Sequence, residues 1–371
     1  MKLIVKTLHG VESLLAKELE QLGATNITTQ RRAVACEADL NTLYTINLKS
    51  RFALRVLVTC VSFKATNDKE IFDNIYNYGW HEVISPDKSI MIDHITFSSA
   101  FTNSQFLAQK AKDAIVDEIR NHCGSRPSVN FENPDILLNI HATDESITVS
   151  LDASGSSLNR RGYRNATLPT STNEVLAAAL VELSGWKPTQ TLHDPLCGCG
   201  TICIEAAMKA RNIAANIYRK EPFAFTNWLN FDEKLWNDIV TKAKDEEKHL
   251  RLSIIGSDID TDALDVAKLS TLDLGINTDV RTIRRSFRDA ERTTEDGMII
   301  TCPPVSDEET RRGLDDLYKE ITFYFSRRFP DHDAWLYSTN LKALRAIEFR
   351  SEKKVEIYNG GQEGNFNLYP F

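Results

Sequence analysis

A chain of 371 residues with 42% hydrophobic residues and a formal net charge of −8 can bury the cores of two or three domains, and is too acidic to be held on nucleic acid by overall charge alone. It contains no run of about 18 apolar residues, which excludes a bilayer-spanning helix. Met1-Lys2-Leu3-Ile4-Val5-Lys6 has no apolar stretch of signal-peptide length, so a cytoplasmic location is expected. Seven cysteines scattered through apolar segments fit reduced thiols better than a disulfide framework.

Residues 2–7 alternate as a strand, and Val11, Leu15, Leu19 and Leu22 mark a helix face that Gly23 ends. A hairpin over 27–37, a helix over 40–48 and a strand over 53–63 complete a βαββαβ order, the pattern of a ferredoxin-like unit over 1–64. From 65 to 152 a second α+β unit follows: a helix over 69–78, a strand over 89–97, a helix over 104–122 and a hairpin of 136–141 with 146–151. In its long helix Leu107, Ala111, Ile115 and Ile119 recur every four residues and Gly124 is the stop. Arg31-Arg32, Lys49-Ser50-Arg51 with Arg55, and Arg160-Arg161 with Arg164 are local basic patches; the plain reading of each is a solvated charged face.

The small-residue stretch Ala153 to Ser157 opens a linker over 153–170, and an α/β domain is expected over 171–371. There a helix runs from Asn173 to Ser184, and a short strand ends at Asp194. A turn Pro195-Leu196-Cys197-Gly198-Cys199-Gly200 then leads into a long helix from Thr201. Gly198 and Gly200 permit a sharp turn and close approach of a ligand, and the fresh helix end offers unpaired N–H groups. Aromatic residues Phe223, Phe225, Trp228, Phe231 and Trp236 follow, with core or lid packing preferred over base stacking, and then a charged helix to about 250.

The next strand leads into Gly256-Ser257-Asp258-Ile259-Asp260, and an acidic residue at that strand end can accept hydrogen bonds from ribose hydroxyls. A third strand, Gly297 to Thr301, stops at Cys302-Pro303-Pro304-Val305. Strands and helices alternate to about 339, the signature of a doubly wound, mainly parallel sheet, and a hairpin around Asn359-Gly360-Gly361 adds the last strands. The three strand ends point to a nucleoside cofactor. Cys197-x-Cys199-x3-Cys203 lacks a second ligand pair and is not read as a metal site.

The ordered set DPLCGCGT, GSDID and strand-CPP resembles the motifs of S-adenosylmethionine-dependent methyltransferases. More narrowly, Arg160-Arg161-Gly162-Tyr163-Arg164, Asn173-Glu174-Val175-Leu176, Ala210-Arg211-Asn212 and Tyr358-Asn359-Gly360-Gly361 resemble the bacterial THUMP-domain guanine-N2 methyltransferases of 23S ribosomal RNA, over nearly the whole chain. The resemblance implies a Rossmann-like methyltransferase domain behind ferredoxin-like and THUMP units, S-adenosylmethionine as cofactor and a structured RNA, 23S rRNA, as partner; the sequence leaves the oligomeric state open, with a monomer favoured. It places Asp194, Cys197, Gly198, Gly200 and Thr201 around the methionine side with Asn173 nearby, Asp258 on the ribose, and Asp289 toward the adenine amine. RNA would meet Arg31, Arg32, Arg160, Arg161, Arg164 and the loop at Asn103, unless Asn103 is only a helix cap.

Methylating an exocyclic amine requires its lone pair, conjugated into the base, to be turned toward the methyl donor. In amino methyltransferases the motif (Asn or Asp)-Pro-Pro-(aromatic) supplies an acceptor for the amine and a ring that stacks on the base. Cys302-Pro303-Pro304-Val305 substitutes a poor acceptor and a residue without a π face, so a slowed amine transfer is expected. Three alternatives stand beside it: a non-catalytic RNA-binding relative that aids RNA folding or ribosome assembly, an adenine-N6 methyltransferase, and a pyrimidine C5 methyltransferase with Cys302 as nucleophile.

Overall fold

The structure is a computed structural model that describes residues 1–98, 101–166, 168, 171–306 and 313–371. The first unit holds β1 (Lys2–Lys6), α1 (Glu12–Gln21), β2 (Thr25–Gln30), β3 (Ala33–Glu37), α2 (Leu40–Lys49) and β4 (Arg55–Lys64). The second holds α3 (Asp68–Tyr76), β5 (Ser89–Phe97), α4 (Ser104–Cys123), β6 (Ser128–Val129), β7 (Ile136–Thr143) and β8 (Ser146–Asp152). Asn103 caps α4 through a hydrogen bond from Phe106 N–H, Gly124 ends it at φ 73°, and the leucine, alanine and isoleucine stripe is buried.

These two units share one eight-stranded sheet, ordered β2-β3-β1-β4-β8-β7-β5-β6. The seam is β4. Its first residues pair with β1, and from Leu57 to Lys64 it pairs antiparallel with β8. A strand of 10 residues is long enough to serve both, and the pairing removes an open edge that each unit alone would present.

The third unit comprises α5 (Glu174–Ser184), β9 (Thr191–Asp194), α6 (Thr201–Ala210), α7 (Glu233–Asp245), β10 (Ile254–Asp258), α8 (Thr261–Asp273), β11 (Val280–Arg284), β12 (Gly297–Thr301), α9 (Leu314–Arg328), β13 (Asp333–Ser338), α10 (Leu341–Ala346), β14 (Lys353–Asn359) and β15 (Gln362–Pro370). Its sheet runs β11-β10-β9-β12-β13-β15-β14, parallel through the first five strands and antiparallel at the last two. Because β10 lies on one side of β9 and β12 on the other, the chain reverses direction across the sheet at β9. The crevice of an open α/β sheet forms there, at the carboxyl ends of the strands.

Some local expectations needed correction. The helix after the glycine turn ends at Ala210, because Asn212 takes a left-handed conformation (φ 56°), and α7 stops at Asp245. The segment from 153 to 166 is packed: Ala153, Ser154, Leu158, Arg161 and Tyr163 are all buried. The aromatic stretch forms interface core, with fully buried Tyr44 of α2 stacked on Phe225 (4.4 Å) and edge-on to Trp236. The C-terminal hairpin also touches the first unit, where Tyr358 N–H donates to His9 O (2.9 Å).

Candidate functional site

Asp194, Asp258 and Cys302 stand at or just beyond the carboxyl ends of β9, β10 and β12, three neighbouring strands. The glycine turn is held from both sides. Cys197 N–H donates to Ser257 O (3.0 Å), and Gly198 N–H donates to the Asp258 carboxylate (2.8 Å). Gly198 and Gly200 sit at φ 48° and 70°, where an L side chain is strained, and a Cβ on Gly200 would come within 3.0 Å of Ala267 Cβ. Among the described residues no side chain caps α6, so its first-turn N–H groups, with the positive end of the helix dipole, are left for a ligand.

Asp258 accepts one hydrogen bond on each oxygen, from Gly198 N–H and from Asp260 N–H (3.0 Å), which leaves lone pairs on both oxygens for a diol. Asp260 caps α8. Asp289 is exposed on the turn after β11, and Asn173 caps α5 by accepting from Val175 and Leu176 N–H. The uncapped helix end, the glycine turn and the strand-end carboxylate together fit a nucleoside that carries an amino-acid arm.

Asp194 is buried and accepts hydrogen bonds from Thr301 Oγ1 (2.7 Å) and Leu196 N–H (3.3 Å). Burial pushes its pKa up to about 7, against the hydrogen bond from Thr301. The unfolded chain loses this proton near pH 4, so the stability it contributes is present below about 4 and lost as pH rises through 7. A cationic ligand reverses the preference and favours the carboxylate. Affinity for such a ligand is therefore expected to rise about tenfold per pH unit up to pH 7 and then level off. Calorimetry with S-adenosylmethionine from pH 5.5 to 8.5 checks this, and the Asp194→Asn chain should give a flat profile over the same range.

Cys302 is partly exposed, and its thiol is pushed far above the usual range by burial of the sulfur and by the Asp194 carboxylate. A thiol held protonated is a poor nucleophile, which counts against the pyrimidine C5 reading. The loop behind it is pinned: Tyr318 OH donates to Pro304 O (3.0 Å) and is hydrogen-bonded to Ser338 Oγ (2.7 Å), and Asn340 Nδ2 donates to Val305 O (3.3 Å). Val305 itself is exposed. Residues 307–310, just beyond it, lie outside the described residues.

The basic residues divide. Arg31, Arg32 and Arg160 are exposed, the first two at the β2–β3 turn. Arg161, expected to meet RNA, is instead fully buried and donates to Ser50 O, Arg51 O, Leu158 O and Glu205, because two units close over it. Arg164 is likewise committed inside, bridging Thr172 O, Thr201 Oγ1 and Glu174, where it braces the start of α6. Arg51 is absorbed too, donating to Met208 O and Ile213 O, and Arg55 pairs with Asp152. Thr301, Tyr318, Ser338 and Asn340 were missed by sequence reasoning, and no local pattern marks them, since their partners lie far away in the chain.

A switch-point crevice with a glycine turn, an uncapped helix end and an acidic second strand defines a nucleoside-dependent methyltransferase fold. The chain matches the RMKL-like methyltransferase domain over 161–367, the RlmL ferredoxin-like domain over 2–57 and the THUMP domain over 65–152, and it belongs to the RMKL-like methyltransferase family. A protein of Synechocystis sp. named as an RNA methyltransferase is 34% identical over 95% of this chain and 92% of its own. Ribosomal RNA large subunit methyltransferase K/L of Methylococcus capsulatus is 34% identical over 97% of this chain but only 50% of its own, so the chain spans about half of that relative. The crystal structure of SMU.472, a methyltransferase by name, in complex with S-adenosylhomocysteine superimposes with a TM-score of 0.88 at 25% identity, covering 100% of this chain and 97% of that one.

Proposed function

We propose that the protein is an S-adenosylmethionine-dependent RNA methyltransferase that acts on an exocyclic amine, N2 of guanine in 23S rRNA, with a transfer step slowed by Cys302 and Val305. The observation that carries the reading is the intact cradle: the turn at Gly198 and Gly200 tied to Asp258, opening on the uncapped end of α6. Family membership and the likeness to relatives named as RNA methyltransferases support methyl transfer to RNA. The cofactor, when bound, supplies the electrophilic methyl group. Asp258 would hold its ribose, the α6 end and the glycine turn its amino-acid arm, and the buried Asp194 carboxylate would favour positive charge there.

At the reacting end the chain offers the Pro303 carbonyl, to which no described residue donates, as one acceptor for the amine. The exposed Arg31, Arg32 and Arg160, with the loop at Asn103, are the RNA contacts we assign. Asp258→Ala is expected to weaken S-adenosylmethionine binding about 100-fold, the loss of two hydrogen bonds to a charged acceptor. The check is calorimetry of both chains, followed by methyl transfer to unmodified 23S rRNA with mapping of the modified base. Unchanged affinity in the variant sinks the ribose assignment, and transfer to an adenine or a pyrimidine sinks the guanine one. Cys302 and Val305 also favour a second reading, an RNA-binding relative without turnover; cofactor binding with no transfer to any RNA would establish it.

A further inference from the structure

A cluster in the THUMP unit takes no part in binding a methyl donor. His81 lies on the single 3-10 turn Trp80–Glu82 that follows α3, while Glu118 and His122 lie one turn apart near the end of α4. The short turn is fixed in place by fully buried Trp80, whose indole N–H donates to Ile75 O (2.7 Å). Glu118 is 1% exposed, and one of its oxygens accepts the His81 main-chain N–H (3.0 Å). Its other oxygen faces Nδ1 of His81 at 2.5 Å and Nδ1 of His122 at 3.2 Å. The two rings stack with centroids 4.0 Å apart and planes 6° from parallel.

The oxygen of Glu118 that accepts the His81 main-chain N–H is already satisfied from the backbone. Two histidines from separate elements turn the same nitrogen toward the other oxygen, and a carboxylate, two imidazoles and a solvent-facing side are what a metal ion requires. We propose that His81, Glu118 and His122 bind a divalent ion of borderline softness, with zinc the first candidate and water completing a tetrahedron. Tetrahedral zinc with bonds of about 2.0–2.1 Å separates its ligand atoms by about 3.3 Å. His122 and Glu118 already stand at that distance; His81 must withdraw by about 0.8 Å from its present hydrogen bond, and the two rings, now 6° from parallel, must tilt until both planes contain the ion.

Two nitrogen ligands select against magnesium and calcium, which prefer oxygen. The C-terminal turn of α4 adds the negative end of a helix dipole, favourable to a cation. His122, whose side chain is 51% exposed, leaves an entry path. On binding, each Nδ1 lone pair goes to the ion, His122 gives up its hydrogen bond to Glu118 O, and any displaced protons pass to solvent. The ion would clamp the turn before β5 to α4, a staple within the RNA-binding unit.

The test is titration of the chelator-treated full chain with zinc chloride by calorimetry, alongside cobalt(II) chloride by absorption spectroscopy. One equivalent should bind at micromolar affinity, with ligand-field bands but no thiolate-to-cobalt charge transfer. His122→Gln and His81→Gln should each weaken binding at least about tenfold with circular dichroism unchanged, and should reduce the zinc-induced rise in Tm at a fixed zinc concentration. No stoichiometric binding to the parent chain overturns the proposal. So does binding that both variants retain in full, or a thiolate band, since either assigns the metal to other residues.

Discussion

Installing asparagine at 302 together with tyrosine at 305 is expected to raise methyl transfer by about 10- to 1500-fold over the parent chain. A restored stacking ring is worth about 1–3 kcal/mol and a restored acceptor about 0.5–1.5 kcal/mol. Their sum lowers the barrier by about 1.5–4.5 kcal/mol, at about 1.4 kcal/mol per decade of rate. The scaffold favours such a gain. Pro304 and Val305 are held by Tyr318 and Asn340, so new side chains would be presented from a fixed backbone, and Val305 is 45% exposed, which leaves room for a ring. Single-turnover transfer of labelled methyl groups to unmodified 23S rRNA measures it for the Cys302→Asn/Val305→Tyr chain, with calorimetry confirming unchanged cofactor affinity. An unchanged rate shows that these two positions do not limit the chemistry.

The largest stability effect is expected at Arg161. Its guanidinium reaches Glu205 at 3.4 Å, in a pocket where both side chains are wholly buried and Tyr163 OH also donates to Glu205 (3.1 Å). One Glu205 oxygen has no partner among the described residues, so the carboxylate depends on the cations beside it, Arg161 and Arg51. Arg161→Met removes one cation and orphans three main-chain carbonyls, at a cost of about 3–5 kcal/mol. Arg160→Met, one residue away and exposed, should change stability by less than about 0.5 kcal/mol. Urea unfolding of both variants followed by circular dichroism decides it. A loss below 1 kcal/mol at Arg161 would mean that Arg51 alone balances Glu205.

The element order was legible in the sequence because it rests on local signals. The stripe from Leu107 to Ile119 with Asn103 before it and Gly124 after it specifies α4 without reference to anything distant, and the same holds for the βαββαβ order of the first unit. The turn at Gly198 and Gly200 was legible too, since left-handed backbone angles restrict the residue type on the spot. Short elements escaped: β6 has two residues and α10 six, too few for a period to register.

Which charges meet water and which meet each other was settled by packing. Arg160, Arg161 and Arg164 are one basic cluster in sequence. In the fold one is solvated, one is sealed against Glu205, and one braces the start of α6. The merging of two α+β units through β4 follows from an edge shared between β1 and β8, strands about 140 residues apart in the chain. The same is true of His81 on Glu118 and of Thr301 on Asp194: their partners lie 37 and 107 residues away. Torsional preference and hydrophobic period are short-range, so the longer helices and strands could be read from the residues that form them. Burial and pairing depend on which distant surfaces close over a side chain, and that is settled only when the chain has packed.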